Sequence, residues 1–168
     1  MPSFPGSEIV VADTSPFIHL DRAGCLSVLP ALFRVVRVPE TVAAEIAAGR
    51  NRGLVIPDVV SMSWVRIEAD RDDPAVRLQP GLDAGEIAAL SVARAIAADL
   101  VLIDDRAGRE AALRLGMRFV GTAGVLVLAK RRELIPAVAP LLDALSASGF
   151  RLGAAVRRQI LVAAGEAP

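Results

Sequence analysis

Short runs of consecutive apolar residues alternate along the chain with stretches whose apolar positions recur every three or four residues. The first run, Ile9-Val10-Val11-Ala12, is largely β-branched and unbroken, as a strand buried on both faces requires. It stops at Asp13. Thr14 and Ser15 offer capping hydroxyls and Pro16 suits a first helical position, which predicts a short helix over 16–23 closed by Gly24. A second short helix is expected over 26–33 and a strand over 34–38, Arg-Val-Val-Arg-Val. Pro39 then opens a helix whose stripe runs through Val42 and Ile46 and which stops near Gly49.

Residues 50–82 form an irregular, insertion-like region. Gly53, Pro57, Asp72, Asp73, Pro74, Pro80 and Gly81 interrupt every period, and only Trp64 to Ile67 alternates as an edge strand does. Asp70 to Asp73 reads as a solvated loop. From Asp83 the pattern sharpens, with a helix to about Ala97 and a fully apolar strand, Leu100 to Ile103, that ends in Asp104-Asp105. A helix from Arg106 to Leu115 stops at Gly116 and a strand covers 117–120. Helices over 125–130, 136–146 and 154–164 complete the chain. Residues 1–7 and 165–168 are expected to be flexible.

Strands alternating with helices imply an α/β fold with a central, mostly parallel sheet of four to five strands, flanked by helices and extended by extra helices at the C-terminal end. With no repeat, low-complexity tract or linker, residues 1–168 read as a single domain.

Composition narrows the function classes. The chain is 54% hydrophobic with mean hydropathy +0.49, has no Tyr, and balances 19 basic against 19 acidic residues, so bulk charge gives no argument for nucleic-acid or membrane binding. Lys130 is the only lysine. Cys25 stands alone, which rules out an internal disulfide and a Cys-based zinc site and suits a reducing cytoplasm. The start, Met1 to Gly6, shows no secretion signal, and no apolar stretch is long enough to span a bilayer. A cytoplasmic protein without a membrane segment is expected.

The candidate chemistry is acidic. Asp13 and the Asp104-Asp105 pair both follow inner strands, at the carboxyl edge where α/β sheets bind ligands. Like charges brought together there repel, and a divalent cation such as Mg²⁺ or Mn²⁺ resolves the conflict. Glu45 lies beside Ile46 on the inward edge of its helix. Glu86 shares a face with Leu90, Ala93 and Ala97 near a helix N-terminus. Asp83 and Glu86 also have capping-box spacing, which would leave Glu86 less free to bind metal.

These stretches carry a family resemblance. Val11-Ala12-Asp13-Thr14-Ser15-Pro16, Val38-Pro39-Glu40 with Glu45, Leu82-Asp83-Ala84-Gly85-Glu86, Leu102-Ile103-Asp104-Asp105-Arg106 and Gly121-Thr122-Ala123-Gly124 through Gly149-Phe150-Arg151-Leu152 resemble, in order and spacing, the PIN-domain superfamily of metal-dependent ribonucleases. Within it the chain is most similar to a bacterial and archaeal branch classed as a domain of unknown function and related to the toxins of type II toxin–antitoxin pairs. The resemblance implies Mg²⁺- or Mn²⁺-dependent endoribonuclease activity, an RNA substrate, a small antitoxin partner and a homodimer. It implies Asp13, Glu45, Glu86 and Asp104 as catalytic metal ligands, with Asp105 as near-equal candidate for the last. Thr14, Ser15, Asp83 and Arg106 are supporting candidates. Two alternatives stand beside it: a PIN-like interaction module that binds a protein partner, and a phosphatase-like enzyme with Asp13 as nucleophile.

Overall fold

A computed structural model describes residues 8–166. Five strands, β1 (Val10–Ala12), β2 (Val36–Pro39), β3 (Val65–Glu68), β4 (Leu100–Leu102) and β5 (Phe119–Val120), form one sheet in the order β3-β2-β1-β4-β5. Every neighbouring pair is parallel. The irregular region does supply the edge strand β3. The chain runs outward from β1 in one direction through β2 and β3 and in the other through β4 and β5, so the switch point lies between β1 and β4.

Nine helices are described: α1 (Thr14–Arg22), α2 (Val28–Phe33), α3 (Glu40–Asn51), α4 (Pro74–Arg77), α5 (Ala84–Ala95), α6 (Arg106–Arg114), α7 (Thr122–Arg131), α8 (Ala139–Ala147) and α9 (Ala154–Ala163). None is long and apolar enough to cross a membrane. Several boundaries differ from the sequence expectation, three of them next to the candidate chemistry or in the irregular region. The first helix starts at Thr14, not Pro16, because Asp13 already occupies the cap position with extended backbone. The turn α4 forms just after the expected loop, within the irregular region, because Asp73 accepts hydrogen bonds from the Ala75 and Val76 N–H groups and Pro74 pre-sets the first helical φ. The segment after β5 turns helical at once, at Thr122 rather than Val125.

The two faces of the sheet bury different sets. Val10, Ala12, Val36, Val38, Leu100 and Leu102 pack with residues of α1, α2, α7 and α8 in the larger core. Val11, Val101 and Ile103 pack with Ala89, Leu90, Val92 and Ala93 of α5 and Ala111 and Ala112 of α6. Residues 1–7, 167 and 168, expected to be flexible, lie outside the described residues. Glu166, also placed in that frayed tail by sequence, is held: its carboxylate accepts hydrogen bonds from the Val138 and Ala139 N–H groups at 2.5 and 2.9 Å, at the start of α8.

Candidate active site

Strand alternation decides where each strand-end acid goes. The Asp13 N–H donates to the Leu102 carbonyl at 3.0 Å, one step beyond the last β1–β4 pair, Ala12 with Leu102. Side chains along a strand switch faces at every residue. Asp13 therefore follows Val11 onto the α5–α6 face, and Asp105 follows Val101 and Ile103 there too. Asp104 follows Leu102 onto the other face.

The contacts agree with this parity. Asp13 occupies the cap position of α1 yet makes no side-chain cap bond, and it is 5% exposed. The Thr14 hydroxyl donates to Glu45 Oε2 at 3.1 Å, tying α3 to the start of α1. A methyl group on Gly85, the second residue of α5, would lie 2.6 Å from Glu45 Oε2 and 3.2 Å from Asp13 Oδ1. Glycine at that position thus leaves a notch that both carboxylates face.

Glu86 does two things at once. The capping box forms in full: Asp83 Oδ1 accepts from the Glu86 N–H at 2.8 Å and Glu86 Oε2 accepts from the Asp83 N–H at 3.0 Å. Glu86 Oε1 is buried without a well-formed hydrogen bond, offset only weakly by the Gly108 N–H, and the residue is 2% exposed. That oxygen lies 2.6 Å from where a methyl on Gly108 of α6 would be. A carboxylate oxygen so poorly partnered in a protein interior is costly and points to a missing cationic partner.

Burial and mutual repulsion hold these acids toward their neutral forms. Burial pushes the Asp13 carboxyl up to about 7; the Thr14 N–H opposes the rise, and the charges of Asp83, Glu86 and Glu45 add to it. Glu45 is raised by burial against the pull of the Thr14 hydroxyl, with Asp83 adding repulsion. Glu86 is raised by burial against the Asp83 N–H, with the charges of Asp83 and Asp105 adding to it. Asp83 faces all three, which makes it the electrostatic centre of the group. Its spacing in the capping box hid that role in the sequence.

Asp104 has a different environment. Its Oδ1 accepts from the Thr122 N–H at 2.7 Å, and its Oδ2 accepts from the Thr122 hydroxyl at 2.6 Å. His19 Nδ1 lies 3.0 Å from the same Oδ2. Asp104 thereby caps α7, whose own cap residue, Gly121, has no side chain to do so. Asp105 caps α6 through Oδ1, which accepts from the Ala107 N–H at 2.8 Å. His19 joins α1 to the end of β4 and sets its ring edge against Phe150, with centroids 4.8 Å apart. Its signal was helical spacing, three residues after the buried Pro16. Of the supporting candidates, Ser15 lies in the first turn of α1, and Arg106 points to Glu110 at 2.7 Å.

Among the described residues no three acidic, histidine or cysteine side chains already stand at metal-ligand separation. The acids instead face one another across the Gly85 notch and within the capping box. No curated protein matches the chain by sequence. The DUF3368 family model, a PIN domain, matches residues 9–166, and the chain belongs to this PIN-domain family.

Proposed function

We propose that this PIN domain is a divalent-metal-dependent endoribonuclease that hydrolyses RNA phosphodiesters, and that it is the toxin of a type II toxin–antitoxin pair. One observation carries the reading: Asp13 and Glu45 meet across the Gly85 notch, and the buried Glu86 Oε1 lacks a well-formed hydrogen bond. Hard oxygen donors with uncompensated negative charge suit Mg²⁺ or Mn²⁺.

Asp13, Glu45, Glu86 and Asp105 would hold the ion, with Asp83 in support. When bound, the ion lowers the pKa of a coordinated water and offsets charge on the scissile phosphate. The protein supplies orientation. The Thr14 hydroxyl fixes Glu45 Oε2, the capping box fixes Glu86 Oε2 and leaves Oε1 available, and burial of Asp13 keeps bulk water from competing for it. In this reading Asp104 is a positioning residue: it clamps the start of α7 and holds the turn from which Asp105 projects.

The deciding experiment is cleavage of several RNAs with and without Mg²⁺ or Mn²⁺, in wild type and Asp13→Asn. Cleavage that needs the ion and Asp13 supports the proposal, and cleavage surviving both EDTA and the substitution overturns it. A cognate antitoxin and a homodimer belong to the same reading. An apolar groove of about 430 Å³ between β5, α7 and α9, lined by Phe119, Val127, Leu128 and Ile160 among others, offers surface for a protein partner. The phosphatase alternative has less support, since Lys130, the lysine such chemistry would use, donates to the Pro136 carbonyl.

A further inference from the structure

Across the Gly121 turn from Asp104, α6 and β5 border a shallow groove of about 300 Å³ lined by Arg106, Arg109, Glu110, Leu113 and Phe119. Arg109 belongs to both places. A methyl on Gly121 would lie 2.8 Å from Asp104 Oδ1 and 3.9 Å from Arg109 Nη1, so this guanidinium reaches from the groove to the turn beside the β4 end. Arg109 makes no ion pair among the described residues. Arg106 pairs with Glu110 one helical turn on, and Glu110 also faces Arg114 at 3.8 Å. The lining therefore carries two guanidinium groups against one carboxylate. Its walls are apolar where they are not charged: Leu113 is 70% exposed and Phe119 is half-buried with its ring at the groove.

Cationic forks beside an exposed aliphatic side chain and an aromatic ring match the chemistry of a nucleotide, with phosphate on Arg and base on the apolar wall. A chain of zero net charge whose site is strongly acidic repels a polyanion unless cations stand beside the acids, and here they stand on α6. We propose that the α6–β5 groove seats a nucleotide of single-stranded RNA next to the scissile phosphate. Arg106 and Arg109 hold two successive phosphates. This inference rests on the nuclease reading for the position of the cut, but the binding it predicts is measured without cleavage.

The experiment titrates a fluorescein-labelled single-stranded RNA with the full chain carrying Asp13→Asn, in EDTA, across a series of salt concentrations. Arg109→Ala is expected to weaken binding at least tenfold and to reduce the slope of log affinity against log salt by about 0.7, the value for one fewer neutralised phosphate on a single strand. Arg106→Ala is expected to reduce the slope by a similar amount, Arg109→Lys to keep the slope while losing part of the affinity, and Leu113→Ser to weaken binding without changing the slope. Unchanged affinity and slope in both arginine variants, with unchanged melting temperatures, overturns the groove even if cleavage proves metal-dependent. So does an Asp13→Asn protein that binds no single strand, or one in which Leu113→Ser alters the oligomeric state and not RNA binding. Slope changes as predicted in a protein that never cleaves RNA keep the groove and remove the nuclease reading.

Discussion

The ends of β1 and β4 look alike in sequence, each an apolar run followed by aspartate, yet the two acids have opposite surroundings. Asp104 accepts from the Thr122 N–H, the Thr122 hydroxyl and His19, so its negative charge is fully answered. Asp13 is offset only in part, by the Thr14 N–H, and faces Asp83, Glu86 and Glu45. The difference comes from one residue of offset. Asp13 directly follows the last paired residue of β1, whereas Ile103 intervenes in β4, and the alternation of faces sends the two acids to opposite sides of the sheet. An aspartate after a strand is therefore not a site by virtue of its position along the chain. Its face decides whether donors or other acids surround it.

The contrast can be tested by removing each carboxylate in turn. Asp13→Asn should abolish metal-dependent RNA cleavage while the protein stays folded, and in EDTA at pH 8 it should melt at a higher temperature than wild type. Each pKa unit corresponds to about 1.4 kcal/mol, so relief of a buried carboxyl displaced from 3.8 to about 7 has a ceiling of roughly 4 kcal/mol. Asp104→Ala should do the reverse and act first on stability, by about 2–4 kcal/mol in denaturant titration, because it strands the buried donors of Thr122. If Asp13→Asn destabilises the metal-free protein, or Asp104→Ala leaves its stability untouched, the comparison fails.

Acidity offers a third route. The folded protein binds the Asp13 proton more tightly than the unfolded chain does, so this group's contribution is fully present below about pH 4 and is lost as pH rises through about 7. Metal-free wild type should thus lose stability between those limits relative to Asp13→Asn. Saturating Mn²⁺ should remove that difference above pH 7. Equal pH profiles for the two proteins in EDTA would show that Asp13 is ordinary in its ionisation.

Smaller effects sharpen the picture. Gly85→Ala puts a methyl group 2.6 Å from Glu45 Oε2, the end of a flexible side chain, so Glu45 should swing away without unfolding the protein. Mn²⁺ affinity by calorimetry is expected to fall by about tenfold, as for loss of an orienting partner, and an unchanged affinity would exclude the notch as the ion's seat. Glu166→Ala removes a cap from α8 and should cost about 1 kcal/mol with cleavage unaffected.

Much of this architecture was legible in the residues. The apolar runs at 9–12 and 100–103 located the inner strands, and the glycines at 24 and 116 located the stops of α1 and α6. The periodic stripe correctly placed Glu86 on a buried face. What was not legible depended on register. Asp104 and Asp105 are indistinguishable by composition, and seeing that they face opposite sides of the sheet requires knowing that Ile103 shares a face with Val11. His19 had no visible partner because Asp104 lies 85 positions away. The α4 turn was missed because its cap, Asp73, looked like one more charge in a solvated run.

The sheet order has a consequence for how the molecule is made. Asp13 and Glu45 come from the part of the chain that forms β1 to β3, whereas Asp105 arrives only with β4, which must enter beside β1 at the switch point. A nascent chain emerging from the ribosome carries an incomplete acid set until that insertion occurs, because domains generally fold as units. Products of interrupted synthesis that end before β4 would lack both the strand that supports β1 and the last carboxylate. Under the proposed nuclease activity, this topology would delay cutting until β4 has been made and has taken its place in the sheet.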